Sequence, residues 1–281
     1  MYRPFISRKK SGLPILSRIE IDKIGEELVQ DYAPNALIKP QEIDVDALSQ
    51  NYLRLNQEYH YLSHNQTYLG MMVFHDTDKV PIYNPELGLA EFVSVKGDTI
   101  IIDSSLLEDG QERRYRFTMA HELSHGFLHK EYFAAKLTRM VHDEAQMPLV
   151  QCRVESNWAN HATGKAWSDH DWLEWQANAL SSAILMPKAM VLKVVKEYKN
   201  KVMHDDICSL MEVARVFHVS KDAARYRLKQ LGLFQFEEEA VLTSKASHPT
   251  HPTLPRMYQL SPEDEGFIRR HEAYWSRLMD I

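Results

Sequence analysis

His121-Glu122-Leu123-Ser124-His125 lies near the middle of a 281-residue chain, and the spacing of its two histidines governs how the rest is read. The surrounding stretch, Arg113 to His129, carries Phe117, Ala120, Leu123, Phe127 and Leu128 at helical intervals, so a helix is expected there. Residues four apart on a helix share a face and lie about 6 Å apart along its axis. Two imidazoles so placed can reach one divalent ion, at about 2.0–2.1 Å each. Glu122 points into a neighbouring sector, where it can take a proton from a metal-activated water without being a ligand. This His-Glu-x-x-His pattern is a known signature of zinc peptidases. The competing reading is a solvated helix face bearing two surface histidines.

A catalytic zinc ion takes three protein ligands and keeps its fourth position open, so a third ligand is required. His129 continues the four-residue series. Eight helical residues rise about 12 Å, however, so His121 and His129 cannot share an ion on an unbroken helix. His129 is read instead as a hydrogen-bonding or end-of-helix residue. Glu174 opens a helical segment, Leu173 to Met186, with a slim face of Ala177, Leu180, Ser181 and Ile184 that permits close packing. It is expected on the first turn, facing the ion, with Asn178 one turn later to steady a ligand or the substrate. Spacing alone reads Glu174 equally well as a charge complementing the helix dipole. His161, His170, Asp169 and Asp171 are weaker rivals, because a loop holds ligands less rigidly.

Further out, Ser17 to Tyr32 and Ile43 to Leu55 have helical spacing, with Asp44 or Asp46 as cap of the second. Thr67–Phe74, Lys79–Tyr83, Phe92–Val95 and Thr99–Asp103 are short runs rich in β-branched and aromatic residues, expected to form a small antiparallel sheet. Gly97-Asp98 is expected to turn a hairpin. The polar stretch 151–171 reads as a loop or lid. Val191–Tyr198, Ser209–Phe217 and Lys221–Leu231 read as short helices. Pro249, Pro252 and Pro255 mark a linker, and a charged helix, Pro262 to Leu278, closes the chain.

The formal net charge of −6 argues against a whole-protein affinity for nucleic acid. Cys152 and Cys208 form no close pair and read as reduced, buried thiols. No run approaches the roughly 18 apolar residues needed to span a bilayer. The basic N-terminal stretch, Arg3 to Lys10, has no apolar run behind it and is not a secretory signal. The chain is therefore expected to act in the cytoplasm.

The block Arg116-Phe-Thr-Met-Ala-His-Glu-Leu-Ser-His125, with Leu128-His129 behind it, resembles the ImmA/IrrE family of bacterial metallopeptidases. A second block carries the same resemblance: Glu174, Ala177, Asn178, Leu185, Met186 and Pro187. So does Ile43-Asp44-Val45, and the likeness covers roughly residues 17 to 235. It implies a zincin-like core in which His121, His125 and Glu174 bind Zn2+, which puts Glu174 ahead of its rivals. It also implies a substrate class, helix-turn-helix repressors. Ser124 stands where glycine is usual, and its hydroxyl can bond a carbonyl one turn back. Leu180 and Ser181 replace the usual Phe-Ala.

Ser209 to Phe234 resembles a helix-turn-helix with Ser220 as cap. From Lys188 to Lys229 there are ten Lys/Arg against five Asp/Glu. A DNA-reading helix bearing Lys221, Arg225, Arg227 and Lys229 is one reading. A packing module or a dock for the repressor is preferred.

The expected fold is thus α+β, with helices on a small antiparallel-rich sheet. A zincin-like domain would span 1–187, a helical module 188–243, and a linker with a final helix 244–281. The expected function is zinc-dependent cleavage of a partner protein with Glu122 as general base, and Tyr115 or His170 as candidates to stabilise the oxyanion. The alternative is a non-catalytic, metal-containing regulator that binds a repressor or DNA.

Overall fold

The computed structural model describes residues 1–139, 149–153, 167–201 and 206–233. The expected linker and closing helix, 244–281, and residues 154–166 of the expected loop lie outside them.

The first helix, α1 (Arg18–Tyr32), starts where Ser17 and Glu20 exchange hydrogen bonds in a capping box, and buries Ile21, Ile24, Leu28 and Val29 along one face. The expected second helix is shorter than its apolar spacing suggests. Asp44 caps α2 (Val45–Ala47), after which the chain widens into a π turn over Leu48–Tyr52. Strand β1 (Asn56–His60) follows. It is polar and half-exposed, which is why no strand pattern marks it. Then come β2 (Tyr68–Val73), β3 (Thr77–Asn84), β4 (Leu89–Val95) and β5 (Thr99–Asp103). Beyond them lie α3 (Glu112–Leu128), α4 (Lys130–Arg139), β6 (Leu149–Arg153), α5 (Asp169–Leu185), α6 (Lys188–Lys201), α7 (Asp206–Val216) and α8 (Lys221–Gln230). Strand β6 and the start of α5 replace both ends of the stretch expected to be a loop.

Among the described residues the fold is α+β, with two sheets rather than one. The larger has order β1-β5-β2-β6, and β3 and β4 form a separate hairpin. Strand β5 runs parallel to β1 and antiparallel to β2, so the main sheet is mixed. The Gly97-Asp98 turn therefore does not close a hairpin but carries the chain from one sheet to the other. It is tight all the same: Asp98 has φ +58°, and a Cβ on Gly97 would lie 3.0 Å from the Cα of His75.

Both faces of the main sheet are covered, so β5 reads as a continuous apolar run. Ile100, Ile102 and Met72 face the helical core, whereas Met71, Val73 and Ile101 pack against Val80 and Val95 of the hairpin. On the helical side α5 packs against both α3 and α1. Its approach to α1 is close enough that a Cβ on Gly25 would stand 2.7 Å from that of Ala183.

Helices α6 to α8 share this core through Val191, Val213, Phe217 and Leu228. Arg227, expected on a DNA-reading face, is instead 1% exposed. Its Nη1 pairs with Asp22 Oδ1 at 2.5 Å, and its Nε donates to the Met186 carbonyl at 3.0 Å. Among the described residues no single helix is long and apolar enough to cross a membrane.

Candidate metal centre

Helix α3 is the central element of the molecule. Every residue from Thr118 to His125 is buried, with the sheet on one side and α5 on the other. His121 is 1% exposed and His125 fully buried, which removes the solvated-face reading. Ser124 donates its hydroxyl to the Ala120 carbonyl at 2.6 Å, one turn back, so it is satisfied without touching the histidines.

His121, His125 and Glu174 form a buried cluster that can hold a metal ion. The two Nε2 atoms are 3.0 Å apart. Glu174 Oε2 lies 3.3 Å from His121 Nε2, and Oε1 lies 3.4 Å from His125 Nε2. Ligand bonds of about 2.0–2.1 Å in a tetrahedron put neighbouring donors about 3.3–3.4 Å apart. The residues present thus fit a small divalent cation, and two imidazoles with one carboxylate are a donor set that suits zinc.

Glu174 is not on the first turn of its helix. Ser168 and Asp171 form a capping box that starts α5 at Asp169, which places Glu174 on the second turn. Asp169 and Asp171 are the acidic residues of the first turn, so the dipole reading belongs to them. Asp171 is engaged as the capping carboxylate. His170 is exposed at the rim, its Nε2 4.0 Å from Glu174 Oε1. His161 lies outside the described residues. Tyr115 is six residues before His121, about 9 Å along the axis, and its hydroxyl is taken up by Asp46 and Tyr59.

Electrostatics divide the buried groups. Burial works against an ionised Glu174, but His125 and His121 outweigh it and hold the carboxyl well below its ordinary range. Burial lowers the pKa of His125, favouring the neutral ring that ligates metals. Burial pushes Glu122 up to about 8, helped by Glu174 and opposed by His121. Neither oxygen of Glu122 has a hydrogen-bond partner among the described residues.

Three further residues shape the site. Asn178 Oδ1 meets His121 Nδ1 at 3.0 Å, as its position one turn after Glu174 led us to expect. Gln176 and Gly70 had no such expectation. Gln176 meets His129, and a Cβ on Gly70 would lie 2.7 Å from Glu122 Oε1. A lone glycine in a strand signals close approach, so Gly70 was findable. Nothing in the pattern distinguishes Gln176.

A buried two-histidine, one-carboxylate cluster beside an unpartnered carboxyl group is the arrangement of a metallohydrolase. A family model for Peptidase_M78, described as the IrrE N-terminal-like domain, matches residues 160–229. The match supports an ImmA/IrrE-family metallopeptidase. It contains Glu174 and Asn178, while His121 and His125 precede it and join Glu174 only through the fold. No curated protein matches the chain.

Proposed function

We propose that the protein is a zinc-dependent endopeptidase that cleaves a partner protein, a helix-turn-helix repressor, with a zincin-like core as its catalytic unit. The observation that carries this reading is the convergence of His121, His125 and Glu174 next to Glu122. Zinc held by the three residues would supply Lewis-acid polarisation of a peptide carbonyl and activation of water. His121 and His125 offer ring nitrogens, and Glu174 brings the negative charge that offsets part of the cation's. Glu122 is the proton carrier. It is buried beside the cluster with neither oxygen hydrogen-bonded among the described residues, so it can take a proton from water and return it to the leaving amine. His170, at the rim, is the better placed of the two residues considered for the oxyanion.

The substrate class rests on the family likeness, and a regulator without catalysis has no use for a general base beside its metal. The test is incubation of the zinc-loaded protein with a repressor encoded beside it, with fragments read by mass spectrometry. Wild type should cut at a defined bond, and Glu122→Gln should keep the metal but lose at least 100-fold in rate. Equal cutting by both would rule out this mechanism.

A further inference from the structure

Behind the candidate metal centre, a chain of four groups runs from His125 through His129 and Gln176 to a backbone carbonyl. We infer that His129 and Gln176 are positioning residues that fix the tautomer of His125, so that its Nε2 presents a lone pair to the metal.

The direction of each hydrogen bond follows from the far end. The Pro14 carbonyl can only accept, and Gln176 Nε2 donates to it at 2.9 Å. That contact orients the amide, so Gln176 Oε1 faces His129 Nε2 at 3.1 Å. An amide oxygen can only accept, so His129 carries its hydrogen on Nε2. A neutral His129 then has its lone pair on Nδ1. That atom lies 2.9 Å from His125 Nδ1, which must therefore be the donor. His125 is left with a bare Nε2, directed at Glu174 and at His121 Nε2.

His129 and Gln176 are both about 1% exposed or less, so water does not compete for these bonds. A doubly protonated His129 would donate to His125 Nδ1 and leave the hydrogen of His125 on Nε2, so only the neutral ring is compatible with a ligating His125. His121 is set independently, because its Nδ1 meets the Asn178 amide oxygen. Each ligand thus has its own anchor on α5, as outer partners of metal-bound histidines generally do. The relay also ties the centre to the N-terminal segment. Arg8 Nη1 donates to the Leu128 carbonyl at 3.2 Å, at the same end of α3.

This inference rests on the metal-binding reading but not on peptidase activity. The first test needs no variant: nitrogen NMR of the full-length, zinc-loaded protein labelled at histidine. His125 should show a protonated Nδ1 with the metal on Nε2, and His129 a protonated Nε2 with an unprotonated Nδ1. Metal on His125 Nδ1, or a hydrogen on His129 Nδ1, would overturn the inference.

The second test is zinc affinity, measured by competition with a chromophoric chelator. His129→Leu and Gln176→Leu should each bind zinc 10–100-fold more weakly. His129→Asn, whose amide oxygen falls near the position of Nδ1, should stay within about threefold of wild type. Circular dichroism of each metal-free variant separates this loss from unfolding. Wild-type affinity in both leucine variants would overturn the inference, as would equal losses in His129→Asn and His129→Leu. A wild-type protein that binds no zinc would overturn the metal reading itself.

Discussion

Gly70 leaves no room for a side chain beside Glu122. A Cβ at that point of β2 would stand 2.7 Å from Glu122 Oε1, 2.8 Å from its Cγ and 2.7 Å from Thr118 Cγ2. The strand backbone thus forms one wall of the pocket that holds the carboxyl group. Gly70→Ala should therefore push Glu122 or the strand aside. Overpacking of this kind costs about 1–3 kcal/mol. Because the ligands lie elsewhere, zinc binding should survive while cleavage falls at least tenfold. Denaturant unfolding and metal stoichiometry check both parts. Wild-type stability and rate in the alanine variant would show that the wall does not position Glu122.

Glu122 also gives the metal-free protein a particular pH dependence. Its pKa rises from an ordinary 4.5 to about 8 on folding, with burial the largest cause. Between those values the folded state holds a proton that the unfolded state has lost. The stabilisation is therefore complete below the ordinary carboxyl range and declines as pH rises toward about 8, by at most about 1.4 kcal/mol per unit. Glu122→Gln cannot ionise and should lack this slope. The stability difference between the Glu122→Gln variant and wild type should then grow in favour of the variant from about pH 5 to about pH 8. Urea midpoints across that range measure it. Parallel curves would mean that the buried carboxyl is already ionised.

Much of this site was legible before any coordinates. The His121–His125 spacing required only that the helix be unbroken, and the helix runs from Glu112 to Leu128. Glu174 was reachable through the resemblance of its block, Glu174 with Ala177 and Asn178, to a known family, since spacing alone left it level with a helix-dipole role. What stayed hidden depended on pairing across the chain. Strand β1 is polar and belongs to the sheet only through its register with β5. The turn at Gly97-Asp98 reads locally as a hairpin, yet the strands on its two sides pair in different sheets, β4 with β3 and β5 with β2. The role of Gln176 depends on Pro14, 162 residues away, and no local pattern carries that information.

Arg227 anchors α8 through an ion pair between its buried guanidinium and the partly buried Asp22, although its place in a basic helix suggests a surface role. Removing one partner of a buried pair leaves the other charge uncompensated and typically costs about 3–5 kcal/mol. Arg227→Met should therefore destabilise the protein by an amount of that order. Changing Asp22→Leu at the same time should recover part of the loss, since both charges are then gone. A double-mutant cycle on unfolding free energies reads the coupling. Additive losses would show that the two side chains do not depend on each other.

Glu174 provides the sharpest test of the metal centre, because its two readings predict opposite behaviour. It lies on the second turn of α5, and its carboxylate faces two imidazoles at 3.3 and 3.4 Å. As a ligand, it carries the zinc-dependent part of the stability, over and above its contacts with the two imidazoles. Zinc at about 100 times its dissociation constant should stabilise the wild-type fold by about 2.7 kcal/mol. Glu174→Ala should show almost none of that increment at the same zinc concentration, and a strong chelator should erase the difference in zinc response between the two proteins. As a dipole partner, by contrast, Glu174 would contribute about 0.3–1 kcal/mol whether or not zinc is added. Thermal unfolding with zinc, without zinc and with chelator separates these cases. An undiminished zinc increment in Glu174→Ala would remove Glu174 from the ligand set.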